Sequence, residues 1–137
     1  MQIENLEKLE KLINSELSSK VQNSSIKNCE LLIEIDENNL IEVIQFLKLN
    51  DKCRFRQLID IAGVDYPEEE KRFQLVYLFL SHEHNNRIKL SIRFQSDQII
   101  SSITKIFPSA NWMEREVFDM YGIKFKNHPD LRRILTD

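Results

Sequence analysis

Glu114, Glu116, Asp119 and His128, close together near the C-terminal end, have the side-chain types used in general acid/base work. Arg115, Arg132 and Arg133 beside them suit the gripping of carboxylates. Acid/base catalysis needs such groups to converge on one cleft, but on a helix at about 100° per residue Glu114 and Glu116 project about 160° apart. No Ser or Cys nucleophile signature accompanies them. His82 and His84, spaced H-x-H, offer two metal ligands from a strand end; no Cys or carboxylate cluster completes the shell, and a solvated loop is the simpler reading. Cys29 and Cys53 lie far apart without a CxxC pair, too few thiolates for an iron-sulfur cluster, and are expected as buried free thiols. No catalytic, cofactor-binding or metal-ligating residue is expected in this chain.

The element that must carry these groups can be read from its ends. Asn111 suits an N-cap with Glu114 three residues on, and Gly122 tolerates the left-handed turn past a helix end, which predicts a helix over residues 112–121. Met113, Val117, Phe118, Met120 and Tyr121 then cover one broad arc, with Arg115, Glu116 and Asp119 opposite. Glu114 breaks the pattern. It projects between Tyr121 and Phe118, where a carboxylate is costly unless paired or hydrogen-bonded. A cationic partner is implied. Arg132 and Arg133 are nearest in sequence, brought back by the Gly122 stop and the rigid His128-Pro129 turn, with Arg115 or another protein's residues as alternatives. The competing expectation is a half-buried Glu114 whose stem packs while its head reaches water. Arg115 and Asp119, four apart, are expected as an ordinary surface pair.

Upstream, residues 3–17 place Ile3, Leu6, Leu9, Ile13 and Leu17 on one helical stripe, with Glu4 and Lys8, and Glu7 and Lys11, as i,i+4 pairs. A polar interval over 18–28 leads to a short strand over 29–35, in which Leu31, Ile33 and Ile35 share a face. Asn39 and Glu42 form a capping box for a second helix bearing Leu40, Val43, Ile44 and Leu47. Residues 55–64 read as a strand and the charged stretch 65–72 as a connection. Residues 73–80 are apolar on both faces apart from Gln74, suiting a central strand, whereas 87–94 alternate strictly, suiting a strand with a wet face. The Asn-rich stretch between them predicts an antiparallel hairpin. Ser96 or Asp97 caps a third helix carrying Ile99, Ile100, Ile103 and Phe107, ended by Pro108. The order α-β-α-β-β-β-α-α predicts a two-layer α+β fold, helices packed on a mixed or mainly antiparallel sheet.

A chain of 137 residues, 42% hydrophobic and 30% charged, suits a single domain over 1–137 that buries roughly 70% of its unfolded surface. A formal charge of −3 gives no reason to expect nucleic acid or an anionic membrane as partner. The longest apolar runs fall far short of the roughly 20 residues that span a bilayer, so membrane association is expected only through a partner. The acidic start lacks an apolar or Arg-rich leader pattern, and nothing in it directs export or organelle import.

The run from Glu114-Arg115-Glu116-Val117-Phe118-Asp119-Met120-Tyr121-Gly122 through Asn127-His128-Pro129-Asp130-Leu131-Arg132-Arg133-Ile134-Leu135 closely resembles the signature of the 30 kDa (C) subunit of proton-translocating NADH-quinone oxidoreductase, respiratory complex I. Leu58-Ile59-Asp60-Ile61-Ala62-Gly63-Val64-Asp65-Tyr66-Pro67 and the two strands after it extend the resemblance from about residue 30 to the end. The resemblance implies a non-redox assembly subunit of the peripheral arm, seated against the 49 kDa (D) subunit with the B and I subunits nearby, at the cytoplasmic face of the bacterial inner membrane. FMN, iron-sulfur clusters and quinone would belong to the parent complex. Glu114, Arg115, Glu116, Asp119, Tyr121, Gly122, His128, Pro129, Asp130, Leu131, Arg132 and Arg133 are the motif positions expected to build the docking corner. Relatives are expected to continue past Arg-Arg-Ile-Leu with a charged, Pro-containing tail, whereas this chain stops at Asp137. Two alternatives stand beside this reading: the equivalent subunit of a complex-I-like assembly, such as a membrane-bound [NiFe] hydrogenase or another quinone- or ferredoxin-linked dehydrogenase, and a stand-alone hydrolase using the clustered carboxylates and His128.

Overall fold

In the computed structural model, which describes residues 2–129, the elements run α1 (Gln2–Glu16), β1 (Val21–Lys27), β2 (Glu30–Ile35), a 3-10 turn (Glu37–Asn39), α2 (Leu40–Leu49), β3 (Gln57–Asp65), β4 (Phe73–Ser81), β5 (Asn86–Phe94), β6 (Ile100–Ser101), α3 (Ala110–Tyr121) and β7 (Phe125–Lys126). Five strands form one mixed sheet in the order β1-β2-β5-β4-β3, parallel only between β2 and β5. The predicted hairpin of β4 and β5 is antiparallel, as expected.

Alternation along each strand sends one side chain in two to a single face, and the register aligns these into rows. Leu31, Ile88, Phe79 and Leu58 form one row, Ile33, Leu90, Tyr77 and Ile61 the next, and Ile35, Ile92 and Leu75 run on to Gly63. Every apolar member of these rows is buried. Leu6, Leu9 and Ile13 of α1 and Leu40, Val43, Ile44 and Leu47 of α2 complete this core. The other face of β4, with Gln74, Val76, Leu78 and Leu80, is only half-buried, so β4 is interior in the sheet while one of its faces lacks full cover.

Several local expectations are corrected. The interval 18–28 contains β1, an edge strand with neither face apolar, joined to β2 by a two-residue turn in which Asn28 and Cys29 both have positive φ. Cys29 is therefore exposed, while Cys53 is buried and its thiol is pushed up to about 12 by that burial. The third helix does not form. Ile100–Ser101 pairs as a strand with Phe125–Lys126, and the Ser102 hydroxyl takes the Thr104 backbone N–H, a local bond that competes with helix. The following turn, in which Phe107 N–H reaches Ile103 O, is held by Lys48 of α2, whose ammonium donates to Ile106 O and lies over the Phe107 ring. Ile99, expected on that helix's apolar side, is half exposed, and so is Ile3 of α1. Asn39 makes no side-chain cap for α2; Asp36, one turn earlier, accepts from Asn38 N–H. Neither Glu4 with Lys8 nor Glu7 with Lys11 forms an ion pair among the described residues.

Candidate functional site

Helix α3 begins at Ala110, one residue before the predicted cap. Ser109 makes no side-chain cap bond; instead the N–H groups of Ala110 and Asn111 donate to Phe107 O and Pro108 O, so the preceding turn satisfies the helix start. Glu114 is thus displaced from the position a capping box needs. The far end follows expectation: Gly122 adopts φ 73° and its N–H donates to Phe118 O.

Glu114 is fully buried. Its Oε1 accepts from the Ser102 hydroxyl at 2.7 Å and its Oε2 from the Ile103 N–H at 2.8 Å, so its partners are a hydroxyl and an amide from the turn beneath α3. This overturns the expectation of a head reaching water; no Arg bonds Glu114 among the described residues, and Arg132 and Arg133 lie outside them. Burial pushes the carboxyl up to about 7, with the Ser102 and Ile103 bonds pulling the other way. His128, also fully buried, stands 3.8 Å from Glu114 Oε1, yet its Nε2 lies 2.9 Å from Asn111 O and donates there. We read the pair as two groups anchored side by side rather than as a strong salt bridge. The Tyr77 phenol, buried with no hydrogen-bond partner among the described residues, is raised by that burial and by the Glu114 charge.

Tyr121 closes the helix onto the sheet. Its ring lies so near Gly63 that a Cβ there would sit 2.5 Å from Tyr121 Cε2, and its hydroxyl donates to Gly63 O at 3.0 Å. The ring also meets Phe73 edge-on. Both glycines of the chain therefore serve α3, one under its last side chain and one at its stop.

The outer side of α3 is different in character. Glu116 and Asp119 are exposed and Arg115 half-buried, and Arg115 and Asp119 form no ion pair among the described residues. Trp112, 68% exposed, and Met120, 74% exposed, stand on this side as well, although helical phase assigns Met120 to the apolar arc. Pro108, Ser109, Asn111, Trp112 and Arg115 border a shallow cleft at its start. Gly122 and Pro129 are exposed. Asp130, Leu131, Arg132 and Arg133 lie outside the described residues.

The arrangement brings Glu114, Tyr121, Gly122 and His128 together as internal fastenings of α3, and leaves Arg115, Glu116 and Asp119 facing outward. It does not converge the carboxylates: Glu114 is enclosed with both oxygens bonded, and Glu116 is in water. Ser102, Ile103 and Gly63, essential to this geometry, do not stand out in the sequence as site residues. The polar pair Ser102 and Thr104, interrupting an apolar helical stripe, is the signal that points to the turn. His82 and His84 bond to Gln57 Oε1 and Asp51 O, and no group of three metal-ligating side chains exists among the described residues. No helix among the described residues is long and apolar enough to cross a membrane.

The sequence pattern of the respiratory-chain NADH dehydrogenase 30 Kd subunit matches residues 33–137. The C subunit of NADH-quinone oxidoreductase from Ruegeria pomeroyi is 54% identical over 108 residues, covering 79% of this chain and 54% of that protein. Its counterpart from Rhodospirillum rubrum is 45% identical over 135 residues, covering 98% of this chain and 63% of that one. This chain thus spans between about half and two thirds of the length of these curated relatives. Among solved structures, the trypsin-resistant fragment (1-134) of Nqo5 superposes with TM-score 0.76 at 25% identity, over 88% of this chain and 97% of that one. A chain of an archaeal membrane-bound sulfane sulfur reductase shares the fold with TM-score 0.77 at 21% identity, over 89% and 71%.

Proposed function

This chain belongs to the family of the 30 kDa subunit of respiratory-chain NADH dehydrogenase, and from that premise we propose that it is a non-redox assembly subunit in the peripheral arm of a proton-translocating NADH-quinone oxidoreductase. In this reading it sits against the 49 kDa (D) subunit near the B and I subunits, at the cytoplasmic face of the inner membrane. FMN, iron-sulfur clusters and quinone belong to the parent complex in this reading, and this chain supplies shape. Its contact with the membrane is indirect, through the complex.

The observation that carries the proposal is a helix fastened on its inner side and uncovered on its outer one. Glu114, Tyr121 and Gly122 fix α3 to the turn and sheet beneath it, while Trp112 and Met120 stand in solvent. Exposed large apolar groups on a rigid, charged helix are the features of a protein contact, where Trp and Arg are the usual energetic anchors.

The test is Trp112→Ala in the whole complex, beside an Arg132→Ala/Arg133→Ala variant. A contact anchor of this kind is worth roughly 2 kcal/mol or more, so recovery of assembled complex and its quinone reductase activity should fall. Unfolding of the Trp112→Ala chain itself should be unchanged. Full assembly with normal turnover in both variants would refute the proposal.

A second reading, the equivalent subunit of a complex-I-like enzyme, is compatible with the same fold, and copurifying proteins separate the two: a flavoprotein with an NADH site, or a large subunit with nickel-ligating cysteines. The curated relatives' names favour the first. The hydrolase reading has no support, since Glu114 and Glu116 face opposite environments.

A further inference from the structure

Glu114 of α3 and His128, two residues past β7, are both fully enclosed and face each other across 3.8 Å. Two titratable groups this close in a dry place do not change charge independently. Their surroundings are few. β4 brings the Tyr77 phenol, and the turn after β6 brings the Ser102 and Thr104 hydroxyls and the Ile103 N–H. α2 brings Lys48 to the same turn, where its ammonium is spent on Ile106 O and the Phe107 ring. No Lys or Arg pairs with Glu114 among the described residues.

The enclosed carboxyl nevertheless has a route to water. Its Oε1 lies 2.7 Å from the Ser102 hydroxyl, which lies 2.9 Å from Oγ1 of Thr104, a half-buried residue. A hydroxyl both gives and takes a hydrogen bond, so this chain of three can run in either direction. As Glu114 gives its proton to Ser102, Ser102 passes its own to Thr104 and Thr104 passes its own to water. Both hydroxyls end neutral, one proton leaves, and Ser102 now donates to a carboxylate.

His128 stands where that change is felt. Its Nε2–H bonds Asn111 O at 2.9 Å and faces the same Glu114 oxygen. Asn111 O can be given up, because it belongs to the first turn of α3, where a helix supplies the N–H four residues on. A carboxylate oxygen is a stronger acceptor than a neutral carbonyl. We infer that Glu114 and His128 form a proton-operated latch: with the proton on Glu114 the His128 N–H rests on Asn111 O, and without it that N–H swings to Glu114 Oε1, drawing the segment after β7 onto α3. The swing shortens 3.8 Å to an ordinary hydrogen bond, a movement of about 1 Å. Burial, which raises Glu114 to about 7 against the pull of Ser102 and Ile103, sets the change near neutral pH. Asn111 borders the cleft that Trp112 and Arg115 also line, so the latch acts at the rim of the outer side of α3.

NMR of the full chain, with 15N in the histidine rings and 13C in the glutamate carboxyls, follows both groups from pH 5 to pH 9. The His128 ring signals should move with the midpoint of the Glu114 carboxyl signal. That movement should be lost in Glu114→Gln, while His82 and His84, bonded elsewhere, respond alike in both proteins. Ser102→Ala touches neither member of the latch but removes one donor from the carboxylate, so it should carry both midpoints to higher pH together. A Glu114 signal without a midpoint in this range would overturn the latch. So would a His128 ring that keeps its response in Glu114→Gln, one that stays still while Glu114 titrates, or midpoints that separate in Ser102→Ala.

Discussion

A carboxyl that is enclosed with both oxygens bonded makes its protonation state part of the stability of the fold. For Glu114 the folded value of about 7 lies above the ordinary 4.5, so the folded chain prefers the proton. Its contribution is complete below about pH 4.5 and is lost as pH rises through about 7, amounting at most to about 3 kcal/mol. Urea unfolding at pH 5 and pH 8 should therefore show a loss toward pH 8 that is absent in Glu114→Gln, the difference between the two proteins cancelling every other titrating group. At pH 5 the two proteins should be nearly equal in stability, because the protonated carboxyl and the amide each offer one carbonyl to accept the Ile103 N–H and one donor that the Ser102 hydroxyl can accept. A parallel pH response in both proteins would show that Glu114 does not titrate in this range. That Glu114 is anomalous was readable from helical phase alone. That its partners are Ser102 and Ile103 was not, since they reach it only once the chain has folded back on itself.

At the level of elements, the seat of α3 on β3 turns on two glycines that do opposite things. Gly63→Ala forces its new Cβ into the Tyr121 ring, 2.5 Å from Cε2, and must displace the helix end or the ring, at about 1–3 kcal/mol. Gly122→Ala meets no atom within 4 Å, and its cost is only that of holding φ 73° with a side chain, about 1 kcal/mol. Thermal unfolding should rank them in that order. In addition, Gly63→Ala combined with Tyr121→Ala should cost less than the sum of the two, because the clash is gone; strict additivity would show that the ring does not press on Gly63. The strands that position this seat were readable where burial imposes alternation, as in β4 and β5. They were unreadable in β1, whose residues Val21-Gln22-Asn23-Ser24-Ser25-Ile26-Lys27 have no apolar face and owe their conformation to pairing with β2. The stretch around Ile100 and Ile103 carries helical spacing, yet pairing with β7 and the Ser102 turn outweigh that local preference, as tertiary context commonly does.

For the molecule as a whole, the question is whether the outer side of α3 is a surface that waits for a protein. The chain holds a single tryptophan, and it stands there, 68% exposed, so its fluorescence reports this face and no other. In the free chain the indole should emit as in water and be readily quenched by iodide or acrylamide. On incorporation into the complex proposed for it, comparison of the assembly carrying Trp112 with one carrying Trp112→Phe should isolate an emission shifted to shorter wavelength and shielded from quencher. The reason is general: the centre of a protein contact excludes water, and an aromatic anchor there moves from a polar, mobile surrounding into a packed one. The internal fastenings of α3 predict further that this change leaves the chain's own unfolding transition in place, since Glu114, Tyr121 and Gly122 hold the helix whether or not Trp112 is covered. An indole that stays open to quencher in the assembled complex would mean that the partner sits elsewhere, and the uncovered face of the sheet around Val76 and Leu78 would then be the surface to probe.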